Sequence, residues 1–446
     1  MDGFVHAQYG KVVRVAPNKY SIDDPAACKL IYGFGAPLKK STWYSMASDP
    51  KIGPNHNLFS VQDREMHAAM RKRQAGFYSM TSIKTYEPFV DECVSVFLEQ
   101  FDRISKSGEI IDLQIWLQSY ALDAISQMTY GVRHGLVDNG ARDPDKHMQW
   151  LWDLQYFMTL GGLTFPWGLP LLLLRYGSIF SGAMKFVDRL DKQAEEKFDN
   201  GTVKETALDD GRPVTFFEKV LKARNANAED FEKYHIGSST NANMLAGSDT
   251  TSIALSSIMY HSLKSTHVWK RLREELNEAI SNGSVTQPIT FEQAQNLHYF
   301  QCVLKEALRV HPSIGLPMWR LIPQGGMEIG GTFFPESTWI GINPWVAHHN
   351  KEVFGNDIDV FNPDRWDANT TPKPKLDQMA AYSLAFGAGS RTCIGKNVSI
   401  LEMNKLIPEL VRRYDFDLLQ PDKEPEIENN WFVKQKHINV RVQPAQ

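Results

Sequence analysis

Apolar residues recur at helical spacing through most of the chain. The pattern is clearest over residues 116–125, 244–262 and 297–310, and each of these segments predicts a helix. We therefore expect helix to dominate the fold.

Two β-hairpins are predicted, one near the start and one in the last third. Residues 11–15 and 19–22 are typical of the first, and residues 328–329 and 332–334 of the second. Strand runs that must pair across a helical middle favour one interleaved domain over residues 1–446, although that length exceeds the usual span of one domain. The predicted class is α+β, mainly helical with small sheets.

Bulk charge predicts no electrostatic partner. The chain has 48 basic and 52 acidic residues and a net charge of −4, so neither nucleic-acid binding nor a polybasic membrane surface is expected. The four cysteines form no C-x-x-C pair, which argues against a disulfide framework or a zinc site and favours a reducing compartment. They are Cys28, Cys93, Cys302 and Cys393.

No membrane-spanning segment is expected. The first residues contain no basic lead and no apolar core, so we expect neither a signal peptide nor an N-terminal anchor. The uncharged run 154–174 could span a bilayer by length, but its prolines and glycines, among them Gly161 and Gly162, would break a helix there. We expect a buried loop or a surface patch that dips into a membrane interface.

One glycine-rich segment carries the strongest chemical signal. Residues 386–395 have the form F-x-x-G-x-R-x-C-x-G, with Cys393 directly before an apolar, helix-like run. Glycines let a backbone approach a flat cofactor closely, and turned amide N–H groups stabilise a thiolate. The segment favours a thiolate ligand for haem iron. The alternative is a buried structural cysteine in a turn.

A second signal lies within the helix predicted over 244–262. Residues 246–251 are A-G-S-D-T-T, and a glycine inside a helix costs about 1 kcal/mol relative to alanine. The hydroxyls can bond back to the preceding turn, so we expect the helix to bend or open over a cofactor. Ala246 and Gly247 would leave room for a small ligand, and Thr250 would offer a hydroxyl. The alternative is a helix made small for close packing.

A third feature links a helix to a later turn. Glu306 and Arg309 lie three residues apart among apolar neighbours, where ionised side chains need further partners. Arg365, in a proline turn 28 residues before Cys393, supplies a second arginine. The alternative is that Glu306 and Arg309 form an ordinary exposed ion pair, which would carry almost no information about function.

These ordered motifs resemble those of the cytochrome P-450 family, and the resemblance runs from the first hairpin to the C-terminus. The segments between the motifs are most similar to fungal microsomal members of the pisatin demethylase-like group. The front end departs from the pattern, since eukaryotic members usually begin with a membrane helix and a proline-rich hinge. A soluble form, a truncated form or an incomplete gene model would explain that difference.

The resemblance implies roles for the motif residues. Cys393 would be the axial thiolate of haem b, iron protoporphyrin IX, in a loop with Phe386 and Gly395. Asp249 and Thr250 would organise proton delivery. The triad Glu306, Arg309 and Arg365 would lock the segment before that loop. Four cationic side chains would contact the haem propionates, with solvated charge as the alternative: His67, Arg71, Arg320 and Arg391.

The same resemblance implies a monooxygenase that oxidises a lipophilic small molecule, expected to be a secondary metabolite, with dioxygen. Electrons would come from NADPH–cytochrome P-450 reductase, which would dock on a basic patch. That patch would comprise Arg71, Lys72, Arg73, Lys396 and Lys405. The alternative is that these basic residues are scattered solvated charges. The substrate pocket would draw on residues 43–59, 160–174, 243–246, 314–318 and 431–432.

We expect a monomer on the cytoplasmic side of the endoplasmic reticulum, with peripheral membrane contact at most. Two alternatives stay open. One is a haem-thiolate isomerase or oxidative coupling enzyme, and the other is a non-catalytic haem-binding protein.

Overall fold

Helices dominate the structure, as predicted. The computed structural model describes residues 2–48, 57–164, 213–226 and 233–445, with some positions between 177 and 196. The described helices are Asp2–Tyr9, Pro25–Tyr32, Arg64–Gln74, Met80–Lys84, Glu87–Ser107, Leu113–Tyr130, His147–Thr164, Phe216–Ala226, Lys233–Lys264, Thr266–Ser281, Phe291–Gln295, His298–Val310, Pro344–Ala347, Lys351–Phe354, Lys373–Tyr382 and Lys396–Arg413.

Small sheets accompany these helices. The strands are β1 Val12–Ala16, β2 Lys19–Ile22, β3 Lys39–Lys40, β4 Ile110–Asp112, β5 Arg320–Leu321, β6 Met327–Ile329, β7 Thr332–Phe334, β8 Trp339–Gly341, β9 Tyr414–Leu418, β10 Glu426–Asn430, β11 Phe432–Lys436 and β12 Asn439–Pro444. The largest sheet has the order β1-β2-β8-β5-β3, and another has the order β4-β12-β9. Strands far apart in sequence therefore share sheets.

Both predicted hairpins form. β1 pairs antiparallel with β2, with Val12 opposite Ile22, and β6 pairs antiparallel with β7, with Met327 opposite Phe334. β2 also pairs in parallel with β8, which places Tyr20 opposite Ile340.

The helix Lys233–Lys264, here called the central helix, runs through the core. Every residue from 251 to 260 is buried, and the helix lies against Leu113–Tyr130, which is itself buried along almost its whole length. Small residues bring the two helices close, because a Cβ at Gly247 would lie 2.8 Å from Cγ1 of Ile125. All three predicted helices are thus confirmed, the first two over wider ranges and the third over His298–Val310.

The expected helix break at Gly161 and Gly162 is wrong. Both glycines lie inside the helix His147–Thr164. A Cβ at Gly161 would lie 2.5 Å from Cε of Met46, and one at Gly162 would lie 2.5 Å from Cδ1 of Trp43, so close packing explains these glycines. The rest of the apolar run, residues 165–174, lies outside the described residues. Within the described part of the chain, no helix is long and apolar enough to cross a membrane.

Candidate functional site

Residues 386–395, here called the cysteine loop, form a closed turn. The Cys393 amide donates to the Phe386 carbonyl at 2.8 Å. Gly387 and Gly389 have φ angles of 70° and 62°, in the left-handed region that favours glycine. A Cβ at Gly389 would lie 1.8 Å from the carbonyl oxygen of Tyr32, so this glycine permits close approach to the protein's own backbone.

Cys393 lies three residues before the helix Lys396–Arg413, here called the post-cysteine helix. It is exposed, whereas the other three cysteines are buried. Dense protein around the sulfur still makes burial the largest influence on its pKa and raises it. The amide N–H groups of Gly395 and Lys396 and the charges of Arg71 and Lys396 oppose that rise, because each favours a thiolate.

The central helix presents an accessible stripe of three residues. Ala242 and Ala246 are exposed and Thr250 is half-buried, at four-residue spacing in a mostly buried helix. The Thr250 hydroxyl donates to the Ala246 carbonyl at 2.7 Å, as predicted for a back-bonded threonine. Thr251 joins the post-cysteine helix through a 2.9 Å contact with Ser399.

The predicted opening of this helix is not seen at Gly247. The helix runs unbroken from Lys233 to Lys264. Ile125 fills the space beside Gly247, so the alternative of a small residue for close helix packing is the better explanation of this glycine. Ala246 lies on the accessible face, as expected for a residue that leaves room for a ligand.

Asp249 faces away from the Thr250 hydroxyl. It is fully buried, and it accepts from Nε2 of Gln118 at 2.5 Å and from Nε2 of Gln155 at 2.7 Å. The ammonium of Lys434 lies 3.7 Å from the same carboxylate. Sequence reasoning missed these three partners, although Gln118 is a polar residue within the apolar run 116–125.

The four residues predicted to contact the propionates lie near the cysteine loop. Arg71 donates to the Thr392 carbonyl at 2.7 Å, and Arg391 donates to the Val61 carbonyl at 2.7 Å. Arg320 is 5% exposed and His67 is 4% exposed.

The arginines and Lys40 act on His67, and Arg320 acts on Arg391. Burial lowers the pKa of His67 to about 3, and the charges of Arg391, Lys40, Arg71 and Arg320 contribute to that shift. Burial and the charge of Arg320 lower the pKa of Arg391 to about 10. A cluster of this kind is suited to an anionic ligand.

Lys40 belongs to the same cluster and was not anticipated. Its position opposite Arg320, in the pairing of β3 with β5, depends on tertiary contacts that a sequence does not display. In the sequence it is one of two adjacent lysines and resembles a solvated charge.

The structure brings the predicted triad together in the core. Arg309 donates two hydrogen bonds to the Glu306 carboxylate, at 2.9 and 2.7 Å. Nε of Arg365 lies 3.4 Å from the same carboxylate. Trp366 and the Asn362 amide also donate to Glu306, at 2.8 and 3.1 Å. Both Glu306 and Arg309 are almost fully buried, so the exposed-pair alternative is wrong.

The predicted basic patch needs a correction. Lys405 is 2% exposed and pairs with Glu87 and Asp91 at 2.9 and 2.7 Å, so it cannot receive a partner protein. Lys72 and Lys396 are exposed.

Aromatic contacts and one backbone bridge join three of the predicted pocket segments. Trp43 lies edge-on to Trp431 at 4.9 Å, and Phe59 lies 5.2 Å from the same ring. Ile314 forms a bridge with Phe432. Trp431 has a φ of 79°, a strained value for a bulky residue, and these contacts hold it in place.

Comparisons with known proteins identify the class. The chain matches the family model described as cytochrome P-450 over residues 5–442. It is 36% identical over 443 residues to pisatin demethylase from Fusarium vanettenii, covering 97% of this chain and 83% of that protein. It is 33% identical over 446 residues to the cytochrome P-450 monooxygenase pkfB from Emericella nidulans, covering 98% and 85%.

These matches and the helical fold define a haem-thiolate monooxygenase, an oxidoreductase that uses dioxygen. The chain belongs to the cytochrome P-450 family.

Family membership implies a haem-iron cofactor, and the described residues fit it. Cys393 offers an accessible sulfur, and the surrounding cations match a ligand with carboxylate groups.

Proposed function

We propose that Cys393 is the axial thiolate ligand of haem b. The observation that carries this proposal is its accessibility at a helix N-terminus, where two amide N–H groups and Arg71 favour the thiolate. His67, Arg71, Arg320 and Arg391 would hold the two propionates. When bound, the haem activates dioxygen for insertion into a substrate C–H bond.

Thr250 would hold the proton that the reaction consumes. Its Oγ1 lies on the accessible stripe and already donates to Ala246, so a small rotation could redirect that proton toward a ligand. Asp249, fixed by Gln118, Gln155 and Lys434, would keep this turn of the helix in place.

The substrate would be a lipophilic small molecule of secondary metabolism. The aromatic cluster around Trp43 and Trp431 supports an apolar ligand. NADPH–cytochrome P-450 reductase would supply electrons and dock near Lys72 and Lys396. The enzyme would act as a monomer at the cytoplasmic side of the endoplasmic reticulum.

Reconstitution with purified NADPH–cytochrome P-450 reductase tests this function. A panel of lipophilic metabolites should yield a product that carries one atom from isotopically labelled dioxygen. Haem-replete protein that accepts electrons and oxidises none of a broad panel would favour a haem-binding role instead.

A further inference from the structure

Lys40 is a buried cation at the end of β3. It is 6% exposed, and its ammonium donates to the Phe59 carbonyl at 2.5 Å. The same nitrogen lies 4.3 Å from the ring centre of Tyr44 and 4.2 Å from that of Phe59. These contacts orient the ammonium, but none supplies a negative charge.

The neighbours of Lys40 add positive charge. Lys40 lies opposite Arg320 in the pairing of β3 with β5. Burial lowers the pKa of Lys40 well below its usual value, and the charges of Arg320 and Arg391 lower it further. Among the described residues, Asp63 is the carboxylate that acts on Arg391, and it is exposed with its oxygen committed to the Met66 amide at 2.8 Å.

Buried charges normally have a partner of opposite sign, because burial without one is costly. Met would fill nearly the same space as Lys40 between the two rings without that cost. No contact among the described residues gives Lys40 a carboxylate partner, so a ligand that brings a negative charge explains a lysine at this position.

We infer that Lys40 is a further cationic ligand for the carboxylates of the haem cofactor, beside His67, Arg71, Arg320 and Arg391. This inference rests on the proposed haem site at Cys393. It gives Lys40 opposite effects in two states of the protein. The charge destabilises the cofactor-free protein and strengthens binding of the cofactor.

Lys40→Met tests both effects. Haem transfer from the ferric protein to apomyoglobin should accelerate by about tenfold or more, as for the loss of one charge-assisted hydrogen bond. The thermal midpoint of the cofactor-free variant should equal or exceed that of cofactor-free wild type.

The adjacent residue provides a matched control. Lys39 is exposed on the same two-residue strand, so Lys39→Met should change the haem-loss rate by less than about twofold. Lys40→Arg keeps the charge and should retain most of the binding.

A modified cofactor separates charge from packing. With haem dimethyl ester, which lacks the carboxylate charges, wild type and Lys40→Met should lose the cofactor at similar rates. A difference that persists with the ester, or an unchanged rate with ordinary haem, would overturn the inference. Failure of wild type to bind haem through a thiolate would instead contradict the proposed function, and its carbon monoxide spectrum would show that separately.

Discussion

Cys393 differs from the other three cysteines in surroundings more than in sequence. Burial raises the pKa of Cys28 and Cys302 to about 11, and it raises that of Cys93 well above its usual value. These three thiols stay protonated at neutral pH and out of contact with solvent. Cys393 alone combines access with nearby N–H groups and cations.

Cys393→Ser should remove thiolate ligation, because a neutral hydroxyl is a far weaker donor to iron. The reduced carbon monoxide spectrum of the variant should lack the thiolate-type band that wild type shows. If folded, haem-loaded wild type also lacks that band, the proposed ligand is wrong.

Thr250→Ala should leave the fold and haem content intact but reduce the product formed per NADPH consumed. Removal of Oγ1 takes away a proton donor on the accessible stripe, so more reducing equivalents should leave as hydrogen peroxide. Thr250→Ser, which keeps the hydroxyl, is the control and should restore coupling. An unchanged yield in the alanine variant would assign Thr250 a packing role.

At the scale of elements, local pattern revealed the helices and hairpins, but it did not reveal which neighbour each face meets. The helical spacing over 244–262 predicted the central helix, whereas the reason for Gly247 is Ile125, more than a hundred residues away. The cysteine loop and the triad of Glu306, Arg309 and Arg365 could be predicted, because their residues recur at short or fixed spacing in the sequence. Lys40, Gln118 and the pairing of Lys405 depend on tertiary contacts.

Gly247→Ala tests the close packing of two helices. Its Cβ would lie 2.8 Å from Cγ1 of Ile125, so either side chain or helix must move, at a cost of about 1–3 kcal/mol against a gain of about 1 kcal/mol from the better helix propensity of alanine. The thermal midpoint should therefore fall. Ile125→Ala removes the obstructing atoms, so in a double-mutant cycle Gly247→Ala should cost less in that background. Additive effects of the two changes would contradict the packing explanation.

Glu306→Ala should strand Arg309 and Arg365 in the core and cost about 3–5 kcal/mol. Much of the protein should then be recovered without haem, since the turn at Arg365 precedes the cysteine loop. The exposed pair of Glu274 with Lys270 gives a matched control, and Glu274→Ala should have almost no effect. Normal stability of the Glu306 variant would show that the cluster does not hold the core.

At the scale of the whole molecule, one buried acid should impose a pH dependence on stability. Glu402 is fully buried, neither carboxylate oxygen has a hydrogen-bond partner among the described residues, and burial raises its pKa well above the usual value. Above the pKa of the unfolded chain, the unfolded state loses a proton that the folded state keeps. Stability should therefore fall as pH rises through this window, by about 1.4 kcal/mol per unit.

Glu402→Gln removes this titration and gives the measurement. The thermal midpoint of the variant, compared with that of wild type at each pH from 5 to 8, should rise relative to wild type as pH increases. Parallel curves for the two proteins would show that Glu402 is ionised in the folded state.

The cysteine loop is held by contacts with residues far earlier in the chain. Gly389 lies against the Tyr32 carbonyl, Arg391 bonds to Val61, and Arg71 bonds to Thr392. During synthesis, the early partners leave the ribosome more than three hundred residues before the loop does. They must wait, with their donors and acceptors exposed to water, until translation is almost complete. At the proposed haem site, cofactor insertion would therefore come late, after most of the chain has been synthesised.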